Sequence, residues 1–235
     1  MLLRTTEDMV YWAQKTALTW QIVLLACASL LVTACINEKE NEQLPYYNTA
    51  DFTPIFADQT GNKQFGNAHQ IADFTFKNQY GTVITEKSIE GKIHVADFFF
   101  TSCGSICPKL TANMSKISEA FKADNQVVLL SYTVTPWIDS VKVLEAYAKR
   151  NKITNPNWHL LTGSKAAIYT LARNSYFAEE ELGFTKDSTN FLHTEHFLLI
   201  DGKKRIRGIY NGTLELEAAQ LIKDINLLKE ENAGG

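Results

Sequence analysis

Clustered basic residues, cysteine, proline and long apolar runs are all scarce in this chain, and each scarcity excludes something. Lys and Arg total 23 against 26 Asp and Glu, a formal charge of −3, so there is no basic surface for a phosphate backbone and no nucleic-acid partner is expected. Four cysteines in 235 residues are too few for a disulfide-dense small fold, and a chain of this length can bury enough apolar surface without staples. Any cysteine pairing therefore points to chemistry before architecture. With only 5 prolines and 12 glycines, and no internal repeat or low-complexity tract, collagen-like, solenoid and disordered classes drop out. What is there is ordinary for a globular protein, 45% hydrophobic and 21% charged residues, and one mixed domain is the economical expectation.

The longest apolar run, Ile22 to Val32, falls short of the roughly 20 helical residues that a bilayer requires but fits the core of a signal peptide. It ends in Val32-Thr33-Ala34-Cys35, which resembles the lipobox of bacterial lipoproteins, where the cysteine is lipidated and becomes the mature N-terminus. Residues 1–34 are thus expected to be a signal or membrane-targeting segment, and residues 35–43 a lipidated Cys35 with a polar tether, NEKENEQ from Asn37 to Gln43. The alternative is an uncleaved membrane helix over residues 17–36, with Cys35 a small apolar residue. Cys27 lies in the apolar leader under both readings. Arg4 and Lys15 precede the run while Glu38, Glu40 and Glu42 follow it, which places the domain outside the cytoplasm, on the periplasmic side of a bacterial envelope. Glu7 and Asp8 dilute the positive leader, and a start at Met9 would remove them.

Residues 44–235 form the expected domain. Ala72 to Lys77 and Thr82 to Ile84 flank Asn78-Gln79-Tyr80-Gly81, whose Asn and Gly supply turn chemistry, so a hairpin is predicted, with a helical turn after it at Thr85 to Ile89. Ile93 to Phe100 (IHVADFFF) is the pattern of a strand buried on both faces and therefore central. Leu110, Met114, Ile117 and Phe121 draw one stripe along a helix. Val127 to Thr133 predicts a second buried strand, and Ser140 to Arg150 a helix capped by Asp139 or Ser140, with Val143, Leu144, Tyr147 and Ala148 inward. Trp158 to Leu161, Lys165 to Arg173, His196 to Ile200 and Ile206 to Tyr210 continue as strand, helix, strand and strand. Leu214, Leu221, Ile222, Ile225 and Leu228 end the chain on an amphipathic helix. This order predicts an α/β, thioredoxin-like sandwich with an N-terminal hairpin extension and an antiparallel closing hairpin.

Between the central strand and its helix lies Cys103-Gly104-Ser105-Ile106-Cys107-Pro108, at the carboxyl end of a strand, where α/β proteins commonly place their sites. A four-residue spacing puts both sulfurs on one side of a helical turn, about 5–6 Å apart at Cβ. They can clamp one soft metal ion or, with slight adjustment, approach disulfide geometry. Pro108 suits a first helical turn, and the positive helix terminus favours thiolate, which is metal ligand and nucleophile alike.

The run Phe98-Phe99-Phe100-Thr101-Ser102-Cys103-Gly104-Ser105-Ile106-Cys107-Pro108 resembles the FxFTxCxxxCP motif of the Sco/SenC copper-chaperone family, thioredoxin-fold proteins that help assemble the dinuclear copper site of cytochrome c oxidase. The likeness continues through Thr135-Pro136 to Asp139, Leu144 to Ala148, Trp158, Leu161-Thr162-Gly163, His193-Thr194 and Asp201-Gly202, covering about residues 44–229. It implies copper held by Cys103, Cys107 and His193, and as partner the copper-receiving subunit of cytochrome c oxidase or another cuproprotein. Two positions depart from the family pattern. Thr135 stands where many relatives have aspartate, and Leu192 where an acidic residue often precedes the histidine, which affects the surroundings of the ligands and the partner surface.

Two thiolates and one imidazole make a soft, low-coordinate site suited to Cu(I), with Cu(II) accommodated by an added water; structural zinc would want a fourth protein ligand. His196, three residues after His193, would point to the opposite face of a strand and is read as a surface residue or one beside the ligands. His94 and His159 read as strand residues and His69 as solvated. Asp97, set among aromatics, is expected either to hydrogen-bond locally or to act on the cysteines electrostatically. The competing function is an extracytoplasmic thiol-disulfide oxidoreductase using Cys103 and Cys107 as its redox pair. Against it stand CxxxC in place of CxxC and the absence of proline from Phe191 to His196, where thioredoxins carry a cis-proline. A binding lipoprotein with a passive disulfide is a third reading. A peroxidase would need a threonine three residues before its cysteine, and Thr101 is two before Cys103. Tyr132 to Trp137, and Tyr176, Phe177, Phe184 and Phe191 in the region from Asn174, are candidates for partner contact or ordinary packing.

Overall fold

In a computed structural model of the chain, the run of β-branched and aromatic residues from Ile93 lies in the interior of a seven-stranded sheet. The structure describes residues 43–56, 68–178 and 195–233. The expected leader, Cys35, nearly all of the tether and His193 lie outside the described residues. Among the described residues no helix is long and apolar enough to cross a membrane.

The strands are β1 (Tyr46–Tyr47), β2 (Pro54–Ile55), β3 (Thr75–Lys77), β4 (Val83–Thr85), β5 (Ile93–Phe99), β6 (Val127–Thr133), β7 (Trp158–Leu161), β8 (His196–Ile200) and β9 (Ile206–Asn211). The helices are α1 (Cys107–Ala120), α2 (Val141–Arg150), α3 (Lys165–Asn174) and α4 (Glu215–Ala233). The main sheet runs β2-β1-β9-β8-β5-β6-β7, and β3 pairs with β4 alone. Strands β5, β6 and β7 are parallel, as helical crossovers require, while β8 and β9 return antiparallel. This is the expected thioredoxin-like α/β sandwich with its closing hairpin. The β3–β4 turn forms as its residues dictate: Asn78 Oδ1 accepts from the N–H groups of Tyr80 and Thr82 at 2.9 and 3.0 Å, and Gly81 takes a φ of +78°, which glycine adopts without strain.

Every residue of β5 is buried, and alternation along it sorts the core into two layers. Val95 and Phe99 face Cys107, Leu110, Met114 and Ile117 of α1, Tyr147 of α2, and Leu221, Ile225 and Leu228 of α4. Ala96 and Phe98 face Phe74 and Phe76 of the hairpin and Ile168 and Ala172 of α3. Burying each large apolar side chain of the α1 stripe contributes about 1.5–3 kcal/mol, so packing against β5, rather than helix propensity, fixes the position of α1.

Three expectations are corrected and one pair of alternatives is decided. Ser140 occupies the cap of α2 but its side chain makes no capping hydrogen bond, and Asp139 turns inward, fully buried, toward three threonines. Leu214 lies before α4 and is 52% exposed, because the helix starts one residue later. Of the two readings of Tyr132 to Trp137, ordinary packing holds for Tyr132, Val134 and Thr135, which are buried, while Trp137 is exposed. His69 is half-buried rather than solvated, its Nε2 2.7 Å from the Ser175 carbonyl and its ring 4.3 Å from that of Phe177.

Strands β1 and β2 carry no signal in the sequence, and a buried arginine holds the start of β1, on which β2 pairs. Arg207, 3% exposed, donates from Nε to the Pro45 carbonyl at 3.0 Å and from Nη2 to the Leu44 carbonyl and Glu231 at 2.7 and 2.9 Å. Its guanidinium also lies 4.1 Å from the Tyr46 ring centroid. The forked donor set clasps the start of the domain to α4. Arg207→Lys keeps the charge but not the fork, and an equilibrium denaturation series is expected to show a loss of about 2 kcal/mol.

Candidate metal and thiol centre

Cys103 sits in the turn after β5, and Cys107 opens α1 with Pro108 in its first turn. The cysteines therefore do not share a helical turn, as their spacing suggested. Cys103 lies before the helix, and the Cys107 N–H, one of the donors that a helix start leaves unpaired, points to Cys103 Sγ at 3.4 Å. Ile106 at the cap position offers no side-chain hydrogen bond, so the sulfur takes the place of a capping oxygen. The thiols are not joined in a disulfide.

The two thiols differ sharply in ease of ionisation. Partial burial raises the pKa of Cys103, but hydrogen bonds from the Cys107 thiol and N–H and from Ser105 outweigh it and bring the value down to about 7. Cys107, 3% exposed, is pushed up to about 12, first by burial, then by its hydrogen bond to Cys103 and by the charges of Cys103 and Asp97. One sulfur is accessible and ready to ionise, and the other is covered and protonated.

Asp97 shares the Cys107 side of β5 and is 3% exposed. Burial pushes its pKa up to about 7 against a hydrogen bond from Ser131, and among the described residues its Oδ1 has no hydrogen-bond partner. It acts on Cys107 through its charge, the second of the two roles expected for it, while Ser131 supplies the local hydrogen bond of the first.

The remaining histidines separate by strand face. His94 is fully buried with Nε2 3.2 Å from the Tyr176 hydroxyl, on the layer away from Cys107. Burial lowers its pKa to about 3, so it is neutral. His159, on edge strand β7, is lowered to about 4, first by burial and then by Lys92. His196 opens β8 with the alternation of Leu198 and Ile200, which pack away from Cys107. Among the described residues no group of three or more His, Cys, Asp or Glu side chains could hold a metal, and His193, the expected third ligand, lies outside them.

Two anchors at this end of the sheet had no signal in local sequence. Glu195, two residues after His193, is held by its carbonyl accepting the Gly212 N–H at 2.7 Å and its carboxylate accepting from Asn211 at 2.9 Å. Gly212 is in turn fixed to α1, its carbonyl accepting from Asn113 Nδ2 at 2.8 Å. An added Cβ there would fall 2.6 Å from Leu110 and 2.7 Å from Phe197, so glycine is required by close approach. Trp137, 54% exposed, follows β6 at the same end, with Lys165 Nζ 4.8 Å from its ring centroid.

A family model described as SCO1/SenC matches residues 62–229. Among solved structures, the chain is similar to a SCO1/SenC family lipoprotein from Bacillus anthracis str. Ames, with 30% identity and a TM-score of 0.60 over 69% of this chain and 96% of that one. It is also similar to BsSco, described as a Sco family cytochrome c oxidase assembly protein with a disulfide switch, at 30% identity and a TM-score of 0.58 over 69% of this chain and 94% of that one. Copper-bound ScoI of Bradyrhizobium japonicum matches at 26% identity and a TM-score of 0.52, over 66% of this chain and 99% of that one. The match spans the strand, turn and helix that carry Cys103 and Cys107 as well as the closing hairpin, and on that ground the chain belongs to the SCO1/SenC family.

Proposed function

We propose that this protein is a membrane-tethered copper chaperone of the cell envelope that delivers copper to, or reduces the cysteines of, the dinuclear copper site of cytochrome c oxidase. Cys103, Cys107 and His193 hold the copper, Cys35 carries the lipid anchor after removal of residues 1–34, residues 35–43 form the tether, and residues 44–235 form the working domain. The observation that carries this reading is the pair of uncrosslinked sulfurs at the start of α1, one accessible with a pKa near 7. Thiolates select soft ions, and two of them with one imidazole suit Cu(I). Copper in the Bradyrhizobium relative, the oxidase-assembly role of BsSco and the lipoprotein from Bacillus anthracis support the cargo, the destination and the anchor in turn.

The split between about 7 and about 12 also favours a redox role. The Cys103 thiolate attacks a partner disulfide and expels one partner thiolate. Cys107, losing its proton to solvent, then attacks Cys103 Sγ and expels the second. The pair gives up two electrons as it becomes a disulfide, and the partner gains them as two thiols.

Anaerobic titration of the reduced full chain with Cu(I) under a competing chelator separates the readings. One tightly bound copper is expected, and His193→Ala, which removes a proposed ligand, is expected to weaken it by more than the roughly tenfold to hundredfold cost of losing an outer partner, while the thiolates retain the rest. No binding, with free thiols confirmed by titration, would leave the oxidoreductase.

A further inference from the structure

The loop that presents Cys103 touches the core through Phe100, Cys103 and Ile106, but the residues flanking Cys103 face solvent. Ser102, Gly104 and Ser105 are exposed, and a Cβ added at Gly104 would meet nothing within 4 Å. Yet a metal-binding or exchanging sulfur must be held to within a fraction of an ångström to keep its geometry.

A polar restraint is added by Asp139, one of the two residues that local pattern offered for the α2 cap. Its carboxylate is fully buried and accepts four hydrogen bonds. Thr101 donates from Oγ1 to Oδ1 at 2.5 Å and from its N–H to Oδ2 at 3.2 Å. The hydroxyls of Thr133 and Thr135 donate to Oδ2 at 2.5 and 2.9 Å. A carboxylate accepts at both oxygens and donates at neither, so it suits this convergence of donors from the end of β5, the end of β6 and the segment that follows. Two of the four bonds are to Thr101, two residues before Cys103. The other two hold the carboxylate itself, so Asp139 ties the cysteine turn to the parallel strand beside it.

We propose that Asp139 is a positioning residue for Cys103, fixing through Thr101 the loop that presents the accessible thiol. Thr135 belongs to the same device, supplying a hydroxyl donor that Asp139 uses. The inference rests on the proposed thiol chemistry of Cys103 and Cys107, and it stands whether the pair carries copper or exchanges disulfides.

The test compares the wild-type full chain with Asp139→Asn, Thr101→Val and Thr101→Ser by three measurements: Cu(I) affinity under a competing chelator, the equilibrium constant of the Cys103–Cys107 pair with glutathione, and the melting temperature. Val matches the shape of Thr without its hydroxyl, and Ser restores the hydroxyl. Asp139→Asn and Thr101→Val are expected to weaken Cu(I) binding about tenfold or more, the usual cost of losing an outer partner, and to shift the glutathione equilibrium severalfold. Thr101→Ser is expected to stay within about twofold of wild type, a rescue that lost stability alone would not produce. If both equilibria stay within twofold in Thr101→Val and Asp139→Asn while only the melting temperature falls, Asp139 is a structural residue and the proposal is overturned. Should Asp139→Asn fail to fold, the Thr101 pair decides. If the wild type binds no copper, the chaperone reading fails, and the glutathione equilibrium still judges Asp139.

Discussion

Reduced protein treated with iodoacetamide at pH 8 is expected to be alkylated at Cys103 on the order of a hundredfold faster than at Cys107. With pKa values of about 7 and about 12, Cys103 is mostly thiolate at that pH and Cys107 is ionised to about one part in 10⁴. The less acidic thiolate is the stronger nucleophile, which returns about two powers of ten of that advantage. Burial of Cys107, 3% exposed, restores part of the difference by shutting the reagent out. Peptide mapping by mass spectrometry after short exposures reads both rates in one sample. Equal rates would mean that the helix start does not discriminate between the sulfurs, and the ordered attack and resolution described above would have no basis.

The second large effect concerns Asp97. Its folded pKa, about 7, lies above the 3.8 of an ordinary aspartate, so between these values the folded state binds more protons than the unfolded state. Stability therefore falls as pH rises from about 4 through 7, and the ionised carboxylate costs on the order of 4 kcal/mol above that window. Below pH 4 the cost is absent. Asp97→Asn removes the ionisation, so its stability relative to wild type is expected to be higher by about that amount at pH 8 than at pH 4, as measured by denaturant unfolding at each pH. Any constant penalty for the new amide cancels in the comparison. A relative stability that is the same at both pH values would show that the carboxyl ionises freely. Loss of the Asp97 charge should also ease ionisation of Cys107, since that charge is one cause of its raised pKa.

These two groups show where sequence reading succeeds and where it stops. The stripe of α1 was legible from its helical period, and β6 and β7 from short runs of apolar residues buried nearly throughout. The β3–β4 turn was legible because Asn78 and Gly81 supply its chemistry. Strand β1 was not, because two residues carry no period and their hold comes from Arg207, 160 positions or so along the chain, through the carbonyls of Leu44 and Pro45. The cysteine pair was plain from its spacing, but spacing treats the two sulfurs alike, whereas depth in the core distinguishes them. Asp139 was misassigned for the same reason. An aspartate before a helix is a local capping signal, and the pull of Thr101, Thr133 and Thr135 exists only once β5 and β6 lie side by side.

The Arg207 clasp has a mechanical consequence. Tyr47 pairs with Ile206 at the start of β9, and β9 runs antiparallel to β8, which runs antiparallel to β5. Residues 44–47 therefore join the sheet at the pole opposite the turn that carries Cys103. A pull on the chain at Leu44 would load β1, Arg207 and the Glu231 end of α4, and the force would be borne about seven strand residues, roughly 23 Å, away from the sulfurs. Tension entering at that pole would be taken up there, leaving the geometry of the thiols at the other pole in place.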